Sequence, residues 1–395
     1  MVGMDATEPA VFILGDPDDA TTEDALRDGA VRFRSRRGVR ITERLLIEAL
    51  PAKAPGRVLC GFDSEGTVAL ASARLWGDEA PLVWWHLDAY VTQKARRTLD
   101  RHQAKVDIRC SPDLPGAPVP GQPAPPADEA PFDLVALPFP RGQEAQLGRE
   151  LVEEAHAILR QGGRLLASTG DRRGEWLNRV LRDVFGNSTV AHQTRRDGLC
   201  FAAKRTKAKA EVRDHRHLIK TTLRGRDLTF EGRPGTFGYA RLDPGSRALA
   251  DGVEVRPGDV ALDIGCGMGV LGIAIAPECA RVMLVDSNAR AVDLAVRNAA
   301  TNQVPQVEVV LRADLEDLGP PAFDLAVTNP PYYSNWRIAQ SFVNTAASTL
   351  RPGGRLWLVA KAAEKHAELL HERFKDVRTT PTPSGHALIT GNLPG

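Results

Sequence analysis

Along this chain, short apolar runs alternate with longer stretches whose apolar positions recur at helical spacing. In the second half the runs are Gly258-Asp-Val-Ala-Leu-Asp263, Arg281-Val-Met-Leu-Val-Asp286, Val307-Glu-Val-Val-Leu, Phe323-Asp-Leu-Ala-Val and Leu350-Arg-Pro-Gly-Gly-Arg-Leu356. Helical stretches such as Ala289 to Ala300 and Ala339 to Leu350 fall between them. Strand-like runs alternating with amphipathic helices specify parallel sheets with helices on both faces.

The first half carries the same succession in the same order, an internal repeat. Gly56-Arg-Val-Leu-Cys-Gly61 is followed by Pro81-Leu-Val-Trp-Trp-His-Leu-Asp88, then Val106-Asp-Ile-Arg-Cys110, Phe132-Asp-Leu-Val-Ala and Leu159-Arg-Gln-Gly-Gly-Arg-Leu165. The predicted fold class is therefore α/β, a tandem of two Rossmann-like domains with doubly wound, mostly parallel sheets. The predicted boundaries are 1–203 for the first domain, 204–233 for a basic linker and 234–395 for the second domain. Within the linker, His217 to Phe230 around Arg224-Gly225-Arg226 predicts a hairpin. Ser111 to Pro131, rich in Pro and Ala, predicts a surface loop.

Composition adds exclusions. With 43% hydrophobic and 26% charged residues and a formal charge of +1, the chain reads as globular and has no global field to steer an anionic partner. Affinity for nucleic acid must come from local patches, of which Arg32 to Arg44, Arg96 to Arg101 and Arg195 to Arg233 are the densest. The last holds 12 Lys and Arg against 5 Asp and Glu. No apolar stretch approaches the ~20 residues of a membrane span, and Met1 to Asp16 lacks the basic start and long apolar core of an export signal. Five cysteines without a Cys-x-x-Cys pair predict reduced thiols. The expectation is a cytoplasmic protein with no membrane association and no metal, a monomer being favoured.

Candidate chemistry separates the two copies. Asp263-Ile-Gly265-Cys-Gly267-Met-Gly269 is a glycine turn after a strand, but Val270 stands where a dinucleotide fingerprint needs its third glycine. S-adenosylmethionine carries no phosphate and needs room for its methionine moiety, which Gly265, Gly267 and Gly269 would give. Asp286, ending the next strand, would take the ribose hydroxyls. Asp314 would accept the adenine amine beside the apolar Leu315, and Asp263 would steady the loop or the ammonium. In the first copy, Gly61-Phe-Asp63-Ser-Glu65-Gly66 loses glycines and gains carboxylates, predicting loss of the cofactor.

After the fourth strand stands Asn329-Pro330-Pro331-Tyr332. A delocalised amine becomes nucleophilic when two acceptors hold its hydrogens, and Asn329 and Pro330 offer two carbonyls. Pro331 stiffens the turn and Tyr332 offers a stacking face. The first copy has Leu137-Pro138-Phe139-Pro140 there, without a side-chain amide.

These motifs, with Leu350-Arg-Pro-Gly-Gly354, resemble the class I methyltransferases that act on amino nitrogens. The tandem layout and the segment Pro234-Gly-Thr-Phe-Gly-Tyr-Ala-Arg-Leu-Asp-Pro-Gly-Ser246 narrow the resemblance to the two-domain ribosomal RNA guanine-N2 methyltransferases. It implies ribosomal RNA or the small ribosomal subunit as partner, a first domain that contacts RNA and helps fold the second, and Phe237 and Asp243 near the cofactor. The sequence departs from that family at Tyr332-Tyr333-Ser334-Asn335-Trp336 and at Ala360-Lys-Ala-Ala-Glu364. Two alternatives stay open: a protein glutamine-N5 methyltransferase, whose amide suits the same motif, and a non-catalytic RNA-binding scaffold.

Overall fold

The computed structural model describes residues 11–118, 131–194, 198–206, 213–315, 318–331 and 336–395. The chain forms two compact units, Met1–His215 and Arg216–Gly395. The hairpin expected in a linker therefore belongs to the second unit.

The first unit opens with β1 (Val11–Ile13), β2 (Thr22–Leu26) and β3 (Val31–Ser35), a small sheet in the order β1-β3-β2. Then follow α1 (Ile41–Ala49), β4 (Val58–Gly61), α2 (Thr67–Trp76), β5 (Leu82–His86), α3 (Ala89–Arg101) and β6 (Val106–Cys110). The unit continues with β7 (Phe132–Phe139), α4 (Ala145–Ile158), β8 (Leu159–Thr169), α5 (Glu175–Phe185), β9 (Thr189–Thr194) and β10 (Gly198–Lys204). The large sheet runs β6-β5-β4-β7-β8-β10-β9, and β10 pairs antiparallel with both neighbours. The Pro-rich connection does not begin as a bare surface loop. Leu114 and Ala117 are buried, and the Leu114 amide donates to Glu154 Oε2 at 2.9 Å.

The second unit begins with β11 (His217–Leu223) and β12 (Arg226–Gly232). Arg224 and Gly225 both have positive φ, 49° and 72°, the twist that suits a two-residue hairpin loop. Next come α6 (Pro244–Gly252), β13 (Val260–Ile264), α7 (Val270–Ile275), β14 (Arg281–Asp286), α8 (Ala289–Thr301) and β15 (Val307–Leu311). After these stand β16 (Phe323–Thr328), α9 (Trp336–Thr349), β17 (Leu350–Ala360), α10 (Ala363–His371), β18 (Lys375–Pro381) and β19 (Ala387–Asn392). The order β15-β14-β13-β16-β17-β19-β18 repeats that of the first unit strand for strand.

Strand alternation builds two cores. Ala261, Leu284, Leu325 and Val327 face α6, α7, α8 and the hairpin, whereas Leu262, Ile264, Val285 and Ala326 face α9 and α10. Leu223, Leu228 and the fully buried Phe230 attach the hairpin to the first of these cores. Two asparagines one turn apart, one in α8 and one just past its end, complete the attachment, since residues four apart share a helix face. Asn302 accepts from the Thr229 amide at 2.9 Å and donates to its carbonyl at 2.8 Å. Asn298 does the same for Glu231 at 2.7 and 3.0 Å. The pair satisfies backbone groups of β12 that no third strand reaches among the described residues, which is why the buried Asn298 is tolerated there.

Several arginines of the basic stretches make contacts within the fold. Arg32 and Arg34 lie against Glu23, and Arg44 pairs with Asp24. Arg224 grips both oxygens of Glu278 and the carbonyls of Ala250 and Val253. Arg205 donates to the Ala157 and Leu159 carbonyls.

Candidate active site

Strand order reverses between β13 and β16, because the chain leaves β13 toward β14 and returns on the other side. In such sheets ligands bind at that switch point, outside the carboxyl ends of the strands. Gly265 follows β13 directly and Asn329 follows β16 directly. Thr328 Oγ1 donates to the Ile264 carbonyl at 2.9 Å, so the two motif-bearing ends are stitched together.

All three glycines of the turn have positive φ. At Gly265 a Cβ would lie 2.7 Å from the Phe342 ring, and at Gly269 2.8 Å from Ile273. At Gly267 it would meet no described atom within 4 Å. Gly265 and Gly269 thus serve close packing, and Gly267 faces open space. Asp286 braces the turn, its Oδ2 accepting from the Gly267 amide at 2.8 Å and its Oδ1 from Asn288 at 2.9 Å. Asp314 lies exposed beyond β15, beside a half-buried Leu315 whose carbonyl accepts from Thr345.

Asp263 is fully buried. Its Oδ2 accepts from the Gly272 amide at 2.8 Å, and its Oδ1 has no partner among the described residues. Burial, with a smaller contribution from the Asp286 charge, pushes this carboxyl up to about 7. A buried carboxylate oxygen without a partner, next to an open glycine turn, suits the cationic amino-acid end of S-adenosylmethionine.

Asn329 is held by α6. Its Nδ2 donates to Asp243 Oδ2 at 3.0 Å and to Ser246 Oγ at 2.9 Å, while Asp243 caps α6 by accepting from the Ser246 amide at 2.8 Å. A planar amide whose nitrogen is pinned twice has its carbonyl direction fixed as well. The resemblance pointed to Asp243, but its contact with Asn329 spans 86 positions and no local signal gives it. Phe237, also implied by the resemblance, is 53% exposed. It sits in a segment that Asn288 and Arg290 tie to the start of α8 through the Gly235 and Pro234 carbonyls. Pro330 and Pro331 follow Asn329, and Tyr332 lies outside the described residues.

The first unit lacks this arrangement, although not by the residues its sequence suggested. Strand register aligns Val58 with Ala261, since they pair with Leu82 and Val282 and then with Leu134 and Leu325. Phe62, not Asp63, therefore takes the place of Gly265, in the same left-handed conformation at φ 62°. Its ring stacks 5.0 Å from His86, and His86, not Asp88, stands where Asp286 does. Burial drives that imidazole down to about 4, which keeps it neutral. Asp63 turns inward, accepting from Trp84 Nε1 at 3.0 Å and from the Gly66 and Val68 amides. Glu65 pairs with Lys94. An aromatic stack has replaced the glycine turn and its bracing acid.

A doubly wound sheet with a glycine turn after its first strand, an acid ending the second and Asn-Pro-Pro after the fourth is the arrangement of the class I S-adenosylmethionine-dependent methyltransferases. Residues 227–390 match the family model described as methyltransferase small domain. The chain is 30% identical over 191 residues to the uncharacterized protein YbxB of Bacillus subtilis, covering 46% of this chain and 94% of that one. It is 34% identical over 170 residues to ribosomal RNA small subunit methyltransferase C of Pseudomonas aeruginosa, covering 42% of this chain and 51% of that one. The match thus spans about half the length of that relative. The chain belongs to the methyltransferase small domain family of S-adenosylmethionine-dependent enzymes. Across both units the fold is similar to a solved T. thermophilus 16S rRNA guanine-N2 methyltransferase, in complex with AdoMet and guanosine. The TM-score is 0.72 at 22% identity, over 95% of this chain and 99% of that one. Among the described residues no helix is long and apolar enough to cross a membrane, and no group of three His, Cys, Asp or Glu is placed to hold a metal.

Proposed function

We propose that this chain methylates the N2 amine of a guanine in ribosomal RNA, as a cytoplasmic enzyme of the small ribosomal subunit. The observation that carries the reading is the pinned amide of Asn329, which supplies a preorganised acceptor at the switch point. Its carbonyl and that of Pro330 would accept the two amine hydrogens, turning the nitrogen lone pair toward the methyl donor. Tyr332 is assigned the stacking face for the base. Gly265, Gly267 and Gly269 would line the cofactor turn, Asp286 would hold the ribose, Asp314 with Leu315 the adenine, and Asp263 the ammonium side. Bound S-adenosylmethionine supplies an electrophilic methyl group. The P. aeruginosa relative's name and the guanosine in the T. thermophilus structure favour RNA over a glutamine amide.

The test is to incubate the protein and labelled cofactor with small-subunit RNA, with assembled subunits and with an RNase-treated protein fraction. Digestion and mass spectrometry should find N2-methylguanosine in one of the RNA-containing reactions. Label confined to protein, or to another nucleoside, would refute the assignment.

A further inference from the structure

In the first unit, the carboxyl ends of β7 and β8 and the start of α1 enclose a cleft of about 740 Å³, lined by Arg40, Thr42, Pro140, Arg141, Gly170 and Arg172. The repeat shows what this cleft corresponds to. Leu134 pairs with Arg164 as Leu325 pairs with Arg355. Pro138 therefore occupies the place of Asn329 and Pro140 that of Pro331, and Arg141 follows directly. Arg40 precedes α1 as Asp243 precedes α6. The cleft is the counterpart of the second unit's amine site, with the acceptors Asp243 and Asn329 gone and three guanidinium groups around its wall.

Charge and pairing set Arg40 and Arg141 apart. Among the described residues no carboxylate lines the cleft. The guanidinium groups of Arg40 and Arg141 make no ion pair or hydrogen bond among the described residues, in contrast to Arg32, Arg44, Arg205 and Arg224. The acid in the first turn of α1, Glu43, is directed to the amide and hydroxyl of Ser64 at 3.3 and 3.1 Å. No side chain caps α1, so its first amides add positive potential where Arg40 and Thr42 meet the cleft. Two exposed cations, Arg40 and Arg141, converging with Arg172 on a concavity suit an anion, and arginine's planar fork suits phosphate oxygens.

We propose that this cleft binds a phosphodiester of the substrate RNA, so that the copy without a cofactor turn anchors the backbone while the other copy holds the base. The RNA identity of the ligand rests on the function proposed above; the anion chemistry does not. Phosphate contacts fix register without reading sequence, which is what a remote anchor would contribute.

The experiment compares wild type, Arg141→Gln with Arg172→Gln, Arg40→Gln alone, and Lys105→Gln. Lys105 lies at the opposite, amino-terminal end of the sheet, paired with Asp78. Binding of small-subunit RNA is measured by anisotropy over a salt series, and methyl transfer as KM and kcat. Affinity should fall about tenfold or more in the double variant and the salt slope by about one to two, at roughly 0.7 to 0.9 per lost phosphate contact. Arg40→Gln should show a smaller change in the same direction and Lys105→Gln none, with kcat at saturating RNA and cofactor binding unchanged throughout. Wild-type affinity and salt slope in the double variant would overturn the proposal even if RNA is methylated. Protection of wild type alone by pyrophosphate, with RNA binding unaffected by the substitutions, would overturn it in favour of a small anion. Absence of methyl transfer to any RNA, with the binding differences intact, would count against the proposed function and leave the anchor standing.

Discussion

Replacing Asp263 with asparagine should stabilise the second unit at pH 8 and have little effect near pH 5. The carboxyl is raised from an ordinary 3.8 to about 7. A group whose folded pKa is raised favours folding below its unfolded value, and that contribution is lost as pH rises through the folded value. Near pH 8 the buried charge therefore works against the fold by at most about 4 kcal/mol, the equivalent of roughly three pKa units. Asparagine keeps an acceptor for the Gly272 amide but brings N–H groups that cost about 1–3 kcal/mol if unpaired. The balance is a gain of about 1–3 kcal/mol at pH 8 that shrinks to about zero at pH 5, where the native carboxyl is neutral but its unfolded counterpart is already ionised. For a domain of this size that is a rise of roughly 3–10 °C at pH 8. Calorimetry of the cofactor-free full chain at both pH values reads the difference. Glu43 in the first unit is also raised to about 7, chiefly by burial, but it is common to both proteins and cancels. A shift of the same sign and size at both pH values would show that Asp263 is not a protonated buried acid.

Asn329→Ala should leave cofactor affinity near wild type and lower kcat about a hundredfold or more, as for a lost preorganised donor worth ~3 kcal/mol; near-normal turnover in a folded variant would return the Asn-Pro-Pro turn to a purely structural role. Asp243→Ala should lower kcat as well and also remove about 1 kcal/mol of helix capping, whereas Asp243→Asn, which keeps an acceptor, should retain most of both in paired kinetics and thermal melts. Asp286→Ala should weaken cofactor binding first, measured by calorimetry, because it releases the Gly267 amide that shapes the turn. The same titration on wild type should give one cofactor per chain, and a stoichiometry of two would contradict the reading of the Phe62 and His86 stack as a filled site.

The tandem architecture, the hairpin and the placement of both motifs at strand ends were legible because each depends on local periodicity and turn chemistry. The residue-level alignment of the degenerate copy was not. Matching by glycine content placed Asp63 opposite Gly265, whereas the backbone places Phe62 there, in a conformation that sequence alone does not associate with phenylalanine. Helix caps carry the missing signal: Asp88 and Asn288 both cap the helix after the second strand, which puts His86 opposite Asp286. The contacts of Asn329 with α6 and of Asn298 and Asn302 with the hairpin join residues 67 to 86 positions apart, beyond any local pattern. For the arginine clusters, charge density alone does not say which side chains meet a carboxylate or carbonyl in the fold, as Arg44 and Arg224 do, and which, like Arg40, stay exposed.

Because each unit is one uninterrupted stretch, with the division at His215 and Arg216, synthesis delivers them in turn. At about 5–20 residues per second the first sheet has all its strands roughly 10–40 s before the last strand of the second is made. Its seven strands can close without waiting for any downstream partner. The catalytic sheet has no such head start: β16 must reach β13 across the intervening β14 and β15, and β19 must enter between β17 and β18, so its pairings are completed only once β19 has been made. A nascent chain stalled after the first unit should therefore resist protease there, while one stalled before β16 should not yet protect the glycine turn.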